Sequence, residues 1–282
     1  MAKRILTAAV GIAFGITVLI LRNTPLFPVT IAALAALGVH ELLTACKTGF
    51  GEFRVHYIFC QLFAVSIPVT TYFSVDLGIR LLIAMVWAFL MFAGFVADNK
   101  KMSYNKLAIM CTSTTLITLP TTCLISLIRL DEVHGPCYVV MALMAAWLPD
   151  AGAYFVGSAI GKHKLCPDIS PKKTIEGAVG GGLVSMAVFV IYALVYRAVL
   201  ASNGIHFDIG FPVLLLLVFV CDVVSIFGDL AASLIKREYG IKDFGKLFPG
   251  HGGMVDRFDS CYFVLPAAMY IFAALGNKLF IG

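Results

Sequence analysis

Between Asp229 and Asp259 the chain carries Lys236, Arg237, Lys242, Asp243, Lys246, His251, Asp256 and Arg257, most of them inside the run IKDFGKLFPGHGGMVDRFDS (241–260). Carboxylates interspersed with lysines and arginines suit metal-assisted phosphoryl or nucleotidyl transfer. Oxygen ligands hold a divalent cation such as Mg²⁺, and ammonium and guanidinium groups carry phosphate charge. The glycines of PGHGG let backbone approach a ligand closely. Asp256 and Asp259 are three apart, so they would share a face if MVDRFDS opened a helix; either acid would there also favour the helix dipole. His251 is a candidate general acid or base and could equally order the glycine turn. The sequence offers no cysteine arrangement with zinc or redox spacing and no plausible Ser-His-Asp ordering, so covalent hydrolysis has little to recommend it.

A second polar stretch, ISPKKTIEG (169–177), offers Ser170, Lys172, Lys173 and Thr174. Ser170 followed by Pro171 resembles an N-cap with proline at the first helical position, which would aim free backbone N–H groups at an anion beside the two lysines. This reads as a phosphate site, with a merely basic loop as the alternative. Upstream, Asp150 follows Pro149 in WLPDAGAYFVG, where the proline can loosen the backbone of a helix lining a cavity. In PVLLLLVFVCDVVSIFGDLAASLIKREYG, residues Asp222, Ser225, Asp229, Ser233 and Lys236 fall within an arc of about 80° at helical spacing. Carboxylates at membrane depth survive by facing the protein interior, water or a cation. Asp229 is the favoured chemical group; Asp222, about two turns deeper, suits a structural hydrogen bond or a proton-linked role.

The elements that must position these residues are apolar. Of 282 residues, 60% are hydrophobic and 13% charged, more apolar than the core of a soluble domain requires. About nine stretches approach the roughly 20 apolar residues a spanning helix needs: 5–21, 28–46, 55–73, 77–96, 104–128, 137–160, 177–200, 212–235 and 261–280. The expectation is an all-α, polytopic integral membrane helical bundle with its amino end in the cytoplasm. That topology puts Arg22, Arg80, Arg129, Arg197 and Lys278 outside and the rest of the 21 Lys and Arg inside, as the positive-inside rule favours. The polar stretches at 161–176 and 236–260 then become cytoplasmic loops. The amino-terminal run reads as a retained helix, because a signal peptide would carry a small-residue cleavage site. The eight cysteines are scattered through apolar runs and read as small buried hydrophobes. The basic residues follow the membrane topology, which argues against nucleic-acid binding.

SLIKREYGIKDFGKLFPGHGGMVDRFD (233–259) resembles the signature of the phosphatidate cytidylyltransferases, or CDP-diacylglycerol synthases, at its defining positions, and DAGAYFVGSAIGKHKLCPDISPKKTIEG (150–177) resembles a second block of that family. The resemblance spans Asp150 to Ser260; before about Met102 agreement is limited to hydropathy. This suggests amino-terminal transmembrane helices over 1–101 and a catalytic transmembrane region with two cytoplasmic loops over 102–282. The resemblance implies an enzyme of the cytoplasmic membrane, often dimeric, so that a homodimer is a candidate. It would join CTP to phosphatidate within the lipid bilayer, with Mg²⁺ and a second cation as a candidate cofactor. The family's metal positions fall on Asp229 and Asp256, with Asp150 and Asp259 as further candidates. Its phosphate-facing positions include Lys172, Lys173, Lys236, Arg237, Lys242 and Arg257. Two departures are Ala151, where many relatives carry Thr or Ser, and Phe244, where many carry a small residue. A CTP-dependent lipid-alcohol kinase and a cation-coupled transporter are the alternative functions.

Overall fold

The computed structural model describes residues 2–248, 250 and 252–281. Ten helices follow one another: α1 (Ala2–Ile20), α2 (Leu26–Ala45), α3 (Arg54–Tyr72), α4 (Leu77–Ala97), α5 (Tyr104–Leu130), α6 (Gly135–Ile160), α7 (Ile175–Ser202), α8 (Phe211–Glu238), the single-turn α9 (Val255–Phe258) and α10 (Cys261–Leu279). The described residues also form two short antiparallel ribbons, β1 (Lys164–Cys166) with β2 (Ser170–Thr174) and β3 (Asp208–Ile209) with β4 (Phe280–Ile281). The protein is an all-α polytopic membrane protein. Among the described residues, eight helices, α2 to α8 and α10, are long and apolar enough to cross a bilayer, and the described apolar part of α1, Ala9–Ile20, is shorter than the others. Helix α4 makes the case for lipid most plainly. Leu82, Met85, Phe89 and Val96 stand exposed on it while Met91 is buried, and an apolar helix left uncovered by protein is stable only with hydrocarbon around it.

The chain forms two compact units: Met1–Ser126 with Lys236–Phe258, and Leu127–Ile235 with Asp259–Gly282. In the first, α3 packs against both α2 and α4. Ala35, Val39 and Leu43 of α2 are fully buried, as are Cys60 and Ala64 of α3. Phe63 stacks on Trp87 with ring centroids 4.4 Å apart.

In the second unit α6 and α7 make the most extensive helix pair. They approach at glycines: a Cβ on Gly152 would lie 2.9 Å from the Gly181 Cα. Helix packing is thus the role of the glycine run after Ile175.

The start of α7 departs from the sequence expectation. Ser170 does not cap a helix and Pro171 does not open one; both lie in β2, where Ser170 pairs with Cys166 and Thr174 with Lys164. Pro171 lacks an N–H, and a two-stranded ribbon leaves room for a residue that cannot donate to the ladder. Thr174 takes the capping role, its Oγ1 accepting the Gly177 N–H at 3.1 Å.

Candidate active site

In the second unit, three elements deliver charged groups to one point. Helix α6 supplies Asp150, β2 supplies Lys173 and α8 supplies Asp229. The Lys173 ammonium lies 3.1 Å from Asp150 Oδ1 and 2.6 Å from Asp229 Oδ2. The ribbon distinguishes the two lysines: Lys173, next to the buried Thr174, is partly buried and turned toward the acids, while Lys172 and Pro171 are exposed. Burial acts to lower the pKa of the Lys173 ammonium, but the carboxylates of Asp150 and Asp229 outweigh it and hold the pKa above the usual lysine value. While both carboxylates stay ionised, the lysine's contribution is therefore fully present below the ordinary lysine pKa and is lost as pH rises through the higher, folded value.

Hydroxyls brace this group. Ser225, one turn before Asp229 on α8, is fully buried and donates to the Ala146 carbonyl at 2.9 Å. Ser260 donates its hydroxyl to the Ser225 carbonyl at 3.2 Å. Deeper on the same face Asp222 is buried and accepts the Ser185 hydroxyl at 3.0 Å. Val223, Phe227 and Leu234 occupy the exposed apolar side of α8, so the polar face read from helical spacing is a real division of this helix. Thr174→Ala should remove the α7 cap directly after Lys173 and lower stability by about 1 kcal/mol, measurable as a lower midpoint of unfolding in detergent.

The first unit holds a second charged group. Lys236, in the last turn of α8, places its ammonium 3.1 Å from Asp256 Oδ1, and Asp256 Oδ2 accepts the Phe244 N–H at 2.8 Å and the Gly253 N–H at 3.0 Å. The Lys236 ammonium also lies 5.2 Å from the centroid of the Phe244 ring, within cation–π range. Phe244 therefore has a place here despite its size, and its contact with Asp256 is made by backbone. Gly250 and Gly252 adopt φ of 78° and 83°, the left-handed region that favours glycine. Their turn brings Gly253 back to Asp256.

Asp256 and Asp259 are not on a common helix. Helix α9 ends at Phe258, and Asp259 Oδ1 accepts the N–H of Ser260 at 2.8 Å in the turn before α10. Short polar side chains that bond nearby backbone compete with helix continuation, which accounts for the break. Arg237, Lys242 and Arg257 are exposed and Ser170 is partly buried. His251 lies outside the described residues. Among the described residues, no group of three or more His, Cys, Asp or Glu is arranged to hold a metal ion.

One residue of the first unit escaped the sequence reading. Glu41 of α2 is buried and accepts the Val255 N–H at 3.0 Å. The signal was a lone carboxylate in LGVHELLTA (37–45), an acid where a membrane helix should have none.

A membrane protein with acid–lysine groups on this motif has the makings of a nucleotidyl-transfer enzyme, and comparison with known sequences agrees. The chain belongs to the cytidylyltransferase family, whose sequence profile matches residues 2–275. It is similar to the phosphatidate cytidylyltransferase of Bacillus subtilis (strain 168), with 30% identity over 274 residues, 97% of this chain and 98% of that protein. The phosphatidate cytidylyltransferase of Staphylococcus saprophyticus subsp. saprophyticus is 36% identical over 193 residues, 68% of each chain. That of Staphylococcus haemolyticus is 42% identical over 138 residues, 49% of this chain and 48% of its own length. The likeness thus extends through the amino-terminal helices, where the motif alone had left agreement at the level of hydropathy.

Proposed function

We propose that this chain is a phosphatidate cytidylyltransferase, transferring CMP from CTP to phosphatidate to give CDP-diacylglycerol and pyrophosphate. The observation that carries this reading is the similarity to the Bacillus subtilis enzyme along 97% of the chain. The Lys173 and Lys236 groups, both built on residues of the motif, support it. The acyl chains of phosphatidate stay in the bilayer while its phosphate reaches the polar side, and the charge partition of the loops favours a site on the cytoplasmic face of the cytoplasmic membrane.

In the reaction, an oxygen of the lipid phosphate forms a bond to the α-phosphorus of CTP. The bond from that phosphorus to the bridging oxygen breaks in line, and pyrophosphate leaves with the electron pair. A phosphate monoester is already anionic near neutral pH, so a dedicated base is optional. The task left to the protein is alignment and charge neutralisation. Lys236, held on Asp256, presents a fixed positive charge to phosphate oxygens. Lys173, held between Asp150 and Asp229, orders the two carboxylates.

Those carboxylates fit Mg²⁺. Two acids against one ammonium leave a net negative, all-oxygen donor set, and Mg²⁺ commonly takes one or two carboxylates together with substrate phosphates and water. Asp229 and Asp150 are the residues that would hold it, with Asp256 and Asp259 as further acidic candidates. When bound, Mg²⁺ supplies charge neutralisation at the phosphates. Purified protein given phosphatidate, CTP and Mg²⁺ is expected to release one pyrophosphate per phosphatidate consumed, to stop on addition of EDTA and to recover with excess Mg²⁺. Release of CDP in place of pyrophosphate, or turnover indifferent to EDTA, would contradict the assignment.

A further inference from the structure

Glu41 sits within five residues of the carboxyl-terminal end of α2, where a carboxylate is opposed both by the apolar setting and by the negative end of the helix dipole. Its surroundings give the compensation. Oε2 accepts the Val255 N–H at 3.0 Å. Gly245 and Gly253 press against the group from the loop: a Cβ on Gly245 would overlap Oε1 and a Cβ on Gly253 would overlap Oε2. Two glycines of the motif thus pack on one residue roughly 200 positions outside it, their lack of a side chain letting the backbone close on the acid.

The residues that Glu41 holds also set Asp256. Gly253, packed on the Glu41 carboxylate, donates its N–H to Asp256 Oδ2, and Val255, bonded to Glu41, is the residue before Asp256. We propose that Glu41 is a positioning residue: a membrane-helix acid that clamps the backbone of the glycine loop and so fixes Asp256 against Lys236. Both Glu41 oxygens face loop backbone, which separates this role from contact with substrate. The effect on turnover rests on the cytidylyltransferase reading; the effect on the loop does not.

The test uses the full-length protein in detergent with two variants, Glu41→Leu, which keeps bulk and removes the acceptor, and Glu41→Gln, which keeps an acceptor oxygen at similar reach. Amide hydrogen exchange is read without substrate, and kcat with CTP and phosphatidate. In E41L, exchange at Phe244, Gly253 and Val255 should accelerate while α3 and α4 keep their protection, and kcat should fall about 100-fold, the size expected for a misplaced active-site group. E41Q should restore most of the protection and of kcat. Wild-type protection of the loop in E41L would overturn the proposal, as would protection lost evenly across α2, α3 and α4. If E41L does not fold, Gly245→Ala, whose methyl would meet the Glu41 carboxylate alone, should produce the same local loss, and unchanged exchange there would refute the clamp. Accelerated exchange with no activity in the wild type would leave the clamp standing and remove the assigned reaction.

Discussion

Replacing Asp256 with Asn is expected to abolish CDP-diacylglycerol formation in folded protein. The Asp256 carboxylate is almost fully buried and accepts from three donors at once, the Lys236 ammonium on one oxygen and the Phe244 and Gly253 N–H groups on the other. An asparagine has one acceptor oxygen. If that oxygen serves the two backbone donors, its amide NH₂ faces the ammonium; if it serves Lys236, the NH₂ faces two N–H groups. In either rotamer a buried donor is left unsatisfied, at a cost of about 1–3 kcal/mol, and the compensating negative charge beside Lys236 is gone. Removing one charge-stabilising group from a site of this kind lowers turnover by about 100- to 1,000-fold, and disturbance of the loop should add to it. Label transfer into lipid, measured on protein whose unfolding midpoint has been checked, reads the effect. Near-normal activity in D256N would remove Asp256 from the reaction.

Lys173→Met should be nearly as damaging for a different reason. The ammonium sits between Asp150 and Asp229, at 3.1 Å and 2.6 Å. Without it the two carboxylates are left close together and uncompensated, and like charges disfavour joint ionisation. The geometry of the acids should then be lost together with the lysine charge, and kcat/KM should fall by about 100-fold or more. The cycle with Asp229→Asn is more informative than the single variant. Groups in direct contact are coupled by about 0.5–3 kcal/mol, so K173M/D229N should lose less than the sum of its parts. Strict additivity in kcat/KM would show that Lys173 and Asp229 act independently.

Much of this arrangement is legible in the sequence, because a bilayer imposes simple rules. Spanning helices declare themselves by length and apolarity, and the periodicity of α8 placed Asp222, Ser225 and Asp229 on one face. What was not legible depends on tertiary partners. Ser170 and Thr174 are both competent caps, and pairing of β1 with β2 decides for Thr174. The Ser-Pro signal was local and the ribbon overrode it. Lys172 and Lys173 are equivalent in sequence and become different only once the strand turns one outward and the other toward Asp150 and Asp229. Asp259 looked like a helix-start acid, but its bond to the Ser260 N–H ends the helical run first. Glu41 was visible as an anomaly in an apolar helix, yet its meaning rests on the loop that folds against it from far along the chain.

The central claim is that the α-phosphoryl group of CTP, with its nucleoside, moves to phosphatidate. The most direct measurement supplies purified protein with phosphatidate, a lipid alcohol such as diacylglycerol, Mg²⁺ and CTP labelled on either the α- or the γ-phosphorus, then extracts and counts the lipid. The account predicts α-label in CDP-diacylglycerol and none of the γ-label. Lipid carrying the γ-label would mark a kinase, and lipid free of both labels, with CTP-independent solute uptake in reconstituted vesicles, would mark a transporter; either result contradicts the account.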